Sequence, residues 1–182
     1  METNGLFPST LGGYRPGKDT WCNAAVFAYD AYEGFQMGME TAAAAIDLQD
    51  AYNNVSYTLL MQLLMDMQVE TRLVKWIAAA LFERTLSMRC GSWASQPQQV
   101  LMSLPQGSPL SPVLFNVYTV GVTSTQRVGV GRTMSYADDI LVYRMGKDRN
   151  EIASALQCEL NRIGDWCNEF KANVNPAKAS LA

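Results

Sequence analysis

The stretch Arg132-Thr133-Met134-Ser135-Tyr136-Ala137-Asp138-Asp139-Ile140-Leu141-Val142-Tyr143 decides how this chain folds. Two runs rich in strand-forming residues flank a short polar segment, so the pattern predicts a hairpin over 131–144 with a tight turn. The turn holds two adjacent carboxylates, Asp138 and Asp139, which repel each other unless a cation compensates them. Because Mg²⁺ prefers carboxylate oxygens, the turn is a candidate metal site if a third carboxylate and a pocket lie nearby.

A third carboxylate, Asp47, stands at the end of the apolar run 41–48. Alanine would also suit a helix here, but the run is short and breaks abruptly after Leu48, so we predict a buried strand. A carboxylate there needs a partner, a cation or solvent. If this strand lies beside the hairpin, Asp47 reaches the same sheet edge as Asp138. Three carboxylates would then suit two divalent ions about 3.5–4 Å apart, as nucleotidyl transfer requires.

The remaining patterns predict helices around this strand and hairpin. We expect helices at about 19–34, 56–68, 70–83, 110–126 and 148–170, a hairpin over 84–102 and an edge strand after 173. The inward side chains of the first helix are expected to be Cys22, Ala25, Val26, Tyr29 and Tyr32 or Phe35, and those of the last to be Ile152, Leu156, Leu160, Ile163 and Trp166 or Cys167. This order predicts an α+β domain whose antiparallel sheet is covered on one face by helices.

The composition excludes several kinds of chemistry. The 182 residues include no histidine, which removes Ser-His-Asp and Cys-His nucleophile systems and most zinc sites. Catalysis would therefore depend on carboxylates, a lysine or a bound metal. The net charge of −3 does not indicate a nucleic-acid binder, although a polyanion could bind where arginines and lysines line one groove.

The sequence also bears on the compartment. No apolar run approaches the roughly 20 residues that span a bilayer, and residues 1–5 lack the features of a signal peptide. The four cysteines are scattered and are predicted to be free thiols. We therefore expect a protein that is not secreted, has no membrane partner, and acts inside the cell, in the nucleus or cytoplasm or both.

Six segments, in this order, resemble the reverse transcriptase domain of LINE-type (non-LTR) retrotransposons. The first three are Gly13-Tyr14-Arg15-Pro16-Gly17-Lys18, Ile46-Asp47-Leu48-Gln49-Asp50-Ala51-Tyr52, and the region from Trp76-Ile77 through Arg84 to Gly91-Ser92. The others are Leu104-Pro105-Gln106-Gly107-Ser108-Pro109-Leu110-Ser111-Pro112-Val113-Leu114-Phe115-Asn116, Tyr136-Ala137-Asp138-Asp139 and Asn175-Pro176-Ala177-Lys178. The fourth segment matches closely over its whole length, and the resemblance covers nearly the entire chain.

The resemblance implies a right-hand polymerase fold, chiefly its palm. Residues 41–182 would form the palm and residues 1–40 a remnant of the fingers, with the thumb, the endonuclease and most of the fingers outside this chain. The implied activity is RNA-directed DNA synthesis from deoxynucleoside triphosphates with two Mg²⁺ ions, Mn²⁺ being a possible substitute. The implied partners are an RNA template, a DNA primer, a deoxynucleoside triphosphate and other segments of the same polyprotein.

The resemblance also assigns the reacting centre. Asp47 and Asp138 would be the principal metal ligands, Asp139 a weaker or supporting one, and the backbone carbonyl of Leu48 would face a metal. Lys178 would be a proton donor to the pyrophosphate. From the residues alone, Lys178 equally suits a solvated lysine.

A second group of residues would surround the nucleotide. Tyr52 occupies the position of an aromatic gate that would clash with a 2′-hydroxyl and so favour deoxynucleotides. Gln106 and Gly107 would lie near the incoming nucleotide and template. Arg15 would contact the triphosphate or template, with Lys18 nearby, although both also suit an ordinary surface loop.

Two alternatives remain beside this interpretation. The chain could be a non-catalytic remnant, or a binding or assembly fragment of a degenerate retroelement, which its acidic balance would suit. It could also be the reverse transcriptase of a group II intron or another retroelement, which shares the chemistry. The continuation Asn116-Val117-Tyr118 and the Asn-Pro-Ala-Lys segment favour the LINE-type interpretation over this second alternative.

Overall fold

The computed structural model describes residues 5–123 and 129–182, which form an antiparallel sheet with helices packed around it. In chain order the elements are α1 (Thr20–Gln36), β1 (Glu40–Gln49), α2 (Tyr57–Asp66), α3 (Thr71–Phe82), β2 (Thr85–Leu86), β3 (Arg89–Cys90), β4 (Trp93–Ala94), β5 (Gln98–Gln99), α4 (Ser111–Thr123), β6 (Val130–Tyr136), β7 (Asp139–Gly146), α5 (Arg149–Phe170), β8 (Asn173–Val174) and β9 (Ser180–Leu181). The predicted end of the fourth helix at 126 lies outside the described residues.

The central sheet confirms the predicted strand and hairpin. Its order is β6-β7-β1-β8, and β9 also pairs with β1. β1 pairs with β7 from Glu40, opposite Gly146, to Asp47, opposite Asp139, and its last two residues pair with β8. The alanine-rich run is therefore a strand, because pairing on both edges and burial between two layers override its helical propensity.

The two faces of the sheet are covered by different helices. On one face, α5 and α4 bury an apolar cluster that includes Ala44, Ile46, Val142, Leu156 and Ile163. On the other face lies α1, whose Phe27 ring meets the Tyr143 ring edge-on with centroids 5.0 Å apart. The sheet thus carries helices on one face, as predicted, and α1 over part of the second.

The predicted inward face of α1 was wrong. Tyr29, Tyr32 and Phe35 are 61, 62 and 61% exposed. The side facing the sheet instead contains Asn23, Phe27, Asp30 and Gly34. Asp30 accepts hydrogen bonds from Arg132 Nε and from the Tyr143 hydroxyl, both at 2.6 Å. Because these two strand side chains need an acceptor, the side of α1 that carries Asp30 faces the sheet.

A second apolar core joins α2, α3 and α4 to the loops around them. Leu11, Val55, Leu60, Leu104 and Val117 are completely buried in it. The core therefore fixes three loops at once: the N-terminal loop, the loop after β1 and the loop before α4. These are the loops whose residues the sequence placed around the nucleotide.

The 84–102 segment is antiparallel, as predicted, but it is split into two ladders. β2 pairs with β5, and β3 pairs with β4 across a turn in which Gly91 has φ 59°. Ser95 interrupts the pairing, because its hydroxyl accepts from the Met88 amide while its own amide donates to the Met88 carbonyl. The returning strand of the predicted hairpin lies at Gln98–Gln99.

Candidate active site

The three carboxylates lie at the turn end of the sheet, where each lines the same open cavity. Asp47 and Asp139 are direct cross-strand partners, and the Leu48 amide donates to the Asp138 carbonyl at 3.0 Å. The cavity, of about 620 Å³, lies between α1 and the sheet, and Asp47, Asp138, Asp139 and Lys178 all line it. Its volume is in the range of small-molecule sites.

The β6–β7 turn is supported from behind by the N-terminal loop. The Gly12 amide donates to the Ser135 carbonyl at 2.8 Å, and the Ser135 amide donates to the Thr10 carbonyl at 2.9 Å. A Cβ on Gly13 would collide with the Ala137 amide nitrogen, so only glycine permits this approach. Ala137 itself has φ 54°, a costly conformation outside glycine, which this support helps maintain.

Asn116 ties the same loop to α4. Its side-chain nitrogen, in a residue that is 1% exposed, donates to the Gly13 carbonyl at 2.7 Å. Asn116 and Gly13 belong to segments that carry the family resemblance, but neither is a predicted site residue. The signal that could have indicated them is the pair Gly12-Gly13, which suggests close backbone approach.

The Asp47 carboxylate is held from both sides by the segment after β8. Lys178 Nζ lies 2.8 Å from Oδ1, and Asn175 Nδ2 lies 3.2 Å from Oδ2. The hydrogen bond from Lys178 lowers the pKa of Asp47, and that from Asn175 lowers it further, against the opposing effect of burial. The same ion pair raises the pKa of Lys178. Asn175 has no role in the sequence-based site.

Asp139 experiences the opposite environment. Loss of hydration raises the pKa of Asp139 first, and the nearby charges of Asp138 and Asp47 raise it further. The charges of Asp138 and Asp47 therefore disfavour the ionised form of Asp139.

Carboxylate oxygens are the donors that a hard divalent cation prefers, so this set fits such an ion in chemical kind. In residues 5–123 and 129–182, however, no three acidic, cysteine or histidine side chains already form a cluster able to hold a metal. Asp47 is engaged by Lys178 and Asn175 instead. The assignment of Asp47, Asp138 and Asp139 as metal ligands therefore stays a prediction.

The Tyr52 side chain lies outside the lining of this cavity. Its ring stacks on Phe115 with centroids 5.0 Å apart and an interplanar angle of 14°. Burial raises the pKa of Tyr52, as do a hydrogen bond with Tyr14 and the charge of Asp138. The Tyr52 carbonyl accepts from the Leu104 amide at 2.9 Å, which links the predicted gate to the Pro-Gln-Gly loop.

That loop presents its tip to solvent. Gln106 and Gly107 are both exposed, and Gly107 has φ 87°. The Pro105 carbonyl accepts from the Ser108 amide at 3.2 Å and from the Ser111 hydroxyl at 2.7 Å, which shapes a turn before α4. This geometry leaves the tip accessible, and the nucleotide role of Gln106 and Gly107 stays a prediction.

The two cations of the N-terminal loop bind the loop's own backbone. Arg15 donates to the carbonyls of Pro8 at 2.6 Å and Leu11 at 2.7 Å, and it lies over the Phe7 ring. Lys18 donates to the Ser9 carbonyl at 3.2 Å. Both therefore order the loop. Their contact with triphosphate or template stays a prediction.

The structure thus brings together only part of the predicted site. The carboxylates, with Lys178, share the cavity, while Arg15, Lys18, Leu48, Tyr52, Gln106 and Gly107 are not among its lining residues. Leu48 contributes its backbone to the turn and its side chain to the core under α5.

Residues 2–182 match the family model for reverse transcriptase (RNA-dependent DNA polymerase). A probable RNA-directed DNA polymerase from transposon BS of Drosophila melanogaster is 25% identical over 98% of this chain and 20% of its own length. The corresponding protein of transposon X-element from the same organism is 23% identical over 99% of this chain and 20% of its length. The chain therefore spans about a fifth of the length of these relatives.

Solved structures show the same fold at low identity. Apo telomerase from Candida tropicalis aligns with a TM-score of 0.68 and 10% identity over 95% of this chain and 33% of its own. Telomerase from Candida albicans, in complex with a fragment of telomeric RNA, aligns with a TM-score of 0.66 and 12% identity over 94% and 31%. These likenesses support the palm-like α+β fold.

Proposed function

This chain belongs to the reverse transcriptase (RNA-dependent DNA polymerase) family, with LINE-type transposon polymerases among its relatives, and from that premise we propose that it is the catalytic core of an RNA-directed DNA polymerase of a non-LTR retrotransposon. The observation that carries the proposal is the pairing of Asp47 with Asp139 at the turn that also holds Asp138, beside a cavity that all three line.

Within this proposal, Asp47 and Asp138 hold two Mg²⁺ ions, with Mn²⁺ as a substitute and Asp139 in support. When bound, these ions would lower the pKa of an attacking hydroxyl and stabilise the leaving oxygen. The family as a whole uses divalent metals. Burial raises the pKa of Asp139 and the charges of Asp138 and Asp47 raise it further, which supports a site that gains from added positive charge.

The chain's own residues would position the substrates. Tyr52, whose ring is fixed by Phe115, would exclude a 2′-hydroxyl. The exposed Gln106-Gly107 tip would contact nucleotide and template. Arg15 and Lys18 would contact triphosphate or template after releasing the carbonyls of their own loop. Lys178, which already lines the cavity, would supply a proton to the pyrophosphate. The partners would be an RNA template, a DNA primer, a deoxynucleoside triphosphate and other segments of the same polyprotein.

The organisation and the compartment belong to the same proposal. We assign residues 1–40 to a remnant of the fingers and 41–182 to the palm. We place the protein inside the cell, in the nucleus or cytoplasm or both, which agrees with its four free cysteines. None of the helices in the described ranges is long and apolar enough to cross a membrane.

Primer extension on an RNA template tests the proposal. Because the chain spans about a fifth of its relatives' length, the assay should supply it with fingers and thumb segments. Asp138→Ala should abolish Mg²⁺-dependent extension, while Asp165→Ala, which removes an exposed carboxylate from α5, should leave it unchanged. Extension that survives Asp138→Ala would refute the assignment.

The second candidate function is a non-catalytic binding or assembly fragment. It is favoured by the lack of a preformed metal cluster among the described residues and by the engagement of Asp47 with Lys178. Calorimetric titration of the chain with Mn²⁺ and a triphosphate separates the two candidates. Tight binding that is lost in Asp47→Asn would argue against the non-catalytic function.

A further inference from the structure

The turn formed by residues 175–178 is a compact unit anchored to the end of β1. The Asn175 amide donates to the Asp47 carbonyl at 2.8 Å, directly after β8 pairs with β1 at Leu48 and Val174. Asn175 Oδ1 accepts from the Ala177 amide at 3.2 Å, and the Asn175 carbonyl accepts from the Lys178 amide at 3.2 Å. Asn175 therefore shapes the turn that places Lys178.

This turn divides the two oxygens of Asp47 between two kinds of donor. Asp47 Oδ2 accepts a hydrogen bond from the side-chain amide of Asn175, and Asp47 Oδ1 pairs with the Lys178 ammonium. Asn175 is half-buried, whereas 65% of the Lys178 side chain is exposed. A neutral hydrogen bond in the more protected position orients a carboxylate, and an exposed ion pair is weak and easily exchanged.

The charges around the cavity explain why an exchangeable cation is useful there. Its lining contains three carboxylates and a single cationic side chain, Lys178, among the described residues. Before any divalent ion arrives, the ammonium is the charge that offsets their repulsion. A divalent ion held by Asp47 would compete with the ammonium for this carboxylate, because it concentrates more charge than an ammonium.

We propose that Asn175 is a positioning residue for Asp47 and that Lys178 is an internal counter-cation, which a divalent ion displaces from Asp47 on binding. This inference rests on the proposed function, because it takes Asp47 as a metal ligand. The displaced ammonium stays on a turn that lines the cavity, so it becomes available to an anionic group of a bound substrate. Binding of the divalent ion and release of Lys178 from Asp47 therefore occur together.

Mn²⁺ titration calorimetry of the full chain tests this with two variants from one turn. Lys178→Ala removes the competitor and should tighten Mn²⁺ binding about two- to fivefold, the size expected for loss of an exposed ion pair. Asn175→Ala removes the orienting donor and should weaken binding at least about threefold. Lys75→Ala, an exposed lysine on α3, makes the same change in net charge and should leave the affinity unchanged.

The opposite effects of Lys178→Ala and Asn175→Ala on Mn²⁺ affinity distinguish this inference from a merely structural role of the turn. If the turn were only a structural support, both variants would weaken binding, and that result would overturn the proposal. Equal affinities for wild type, Lys178→Ala and Asn175→Ala would overturn it as well. If neither wild type nor Lys178→Ala binds Mn²⁺, the proposed metal function fails and this inference fails with it. Circular dichroism should show that each variant is folded.

A readout on Lys178 itself does not depend on affinity. Acylation by a lysine-directed reagent, followed by mass spectrometry, should label Lys178 more strongly when Mg²⁺ is added, because its ammonium leaves Asp47. Labelling of Lys75 should stay constant, and the Mg²⁺ effect should vanish in Asp47→Asn. An unchanged or reduced labelling of Lys178 in the presence of Mg²⁺ would contradict displacement.

Discussion

The helices α1 and α5 lie on opposite faces of one sheet, and each buries a carboxylate against the strands. On α5, Glu159 is 2% exposed and bonds Arg144 at 3.0 Å, Arg162 at 2.7 Å and Thr133 at 2.8 Å. On α1, Asp30 is 9% exposed and bonds Arg132 and Tyr143, both at 2.6 Å. The two helices differ in their apolar faces: α5 buries its own against the sheet, and α1 turns most of its aromatic rings outward.

This difference teaches when apolar spacing identifies a buried face. Under α5 the strands present Ile46, Ile140 and Val142 beside the buried Arg144, so the helix buries its apolar stripe and Glu159 on the same side. Under α1 the strands present the Arg132 guanidinium and the Tyr143 hydroxyl, which need an acceptor if they are to be covered. The helix that covers them must bring its carboxylate, and its apolar stripe then points elsewhere.

The largest effect on stability is expected from removing Glu159, the carboxylate that α5 buries against the sheet. Glu159→Ala leaves Arg144, which is 3% exposed, without its charge partner, and it should lower the free energy of unfolding by about 3–5 kcal/mol. Urea denaturation followed by circular dichroism measures this. Glu169→Ala, an exposed position on the same helix, should change stability by less than about 0.5 kcal/mol. A similar small loss for Glu159→Ala would mean that apolar packing alone holds α5.

A smaller loss of stability is expected from changing Asp30, the carboxylate that α1 buries against the sheet. Asp30→Asn keeps the side-chain size but removes the charged acceptor of Arg132 and Tyr143, and it should cost about 1–3 kcal/mol. The same denaturation assay applies. Glu33→Gln, on the exposed side of α1 where Glu33 accepts from Tyr29, serves as the matched control and should be nearly neutral. Equal losses for the two variants would break the assignment of the buried face.

The apolar side chains of α1 give a direct test of its orientation. Phe27→Ala removes the edge-to-face contact with Tyr143 and should cost about 1–2 kcal/mol. Tyr32→Ala removes a side chain that is 62% exposed and should change stability by less than about 0.5 kcal/mol. The reverse order, with Tyr32→Ala the more harmful, would restore the face that spacing predicted.

The smallest effect on stability is expected from Asp139, at the turn end of the sheet. The raised pKa of Asp139 means that its ionised form is disfavoured in the folded state, so wild type loses stability as pH rises through that pKa. Asp139→Asn should therefore be more stable than wild type at pH 7, by less than about 1 kcal/mol because the carboxyl is exposed. The gain should fade as pH falls toward the unfolded value of about 3.9. Thermal melts across this range measure it, and Asp165→Asn should show no gain.

Much of the fold could be predicted because it depends on local patterns. The hairpin around Asp138-Asp139, the strand that carries Asp47 and the inward stripe of α5 follow from spacing within short windows. The face of α1 could not be predicted, because it depends on Arg132 and Tyr143, which lie more than 100 positions away. The split of the 84–102 hairpin was also missed, because it depends on one side-chain hydrogen bond of Ser95.

The candidate site divides in the same way. Residue types and motif order identified the carboxylates, Lys178 and Tyr52 as candidates. They did not indicate that Arg15 binds its own loop, that Gly13 must touch Ala137, or that Asn175 holds Asp47. Each of these depends on two segments that meet only after folding.

The sequence by itself determined the elements, the family resemblance and the chemistry that is open to a chain without histidine. These are properties of residue type and spacing, which short segments carry. Only the tertiary structure decided which face of α1 is buried, which backbone supports the Ala137-Asp138 turn, and that Asp47 shares its two oxygens between Asn175 and Lys178. Hydrogen bonds and ion pairs require atoms within about 3 Å, and sequence spacing cannot specify that distance between remote segments.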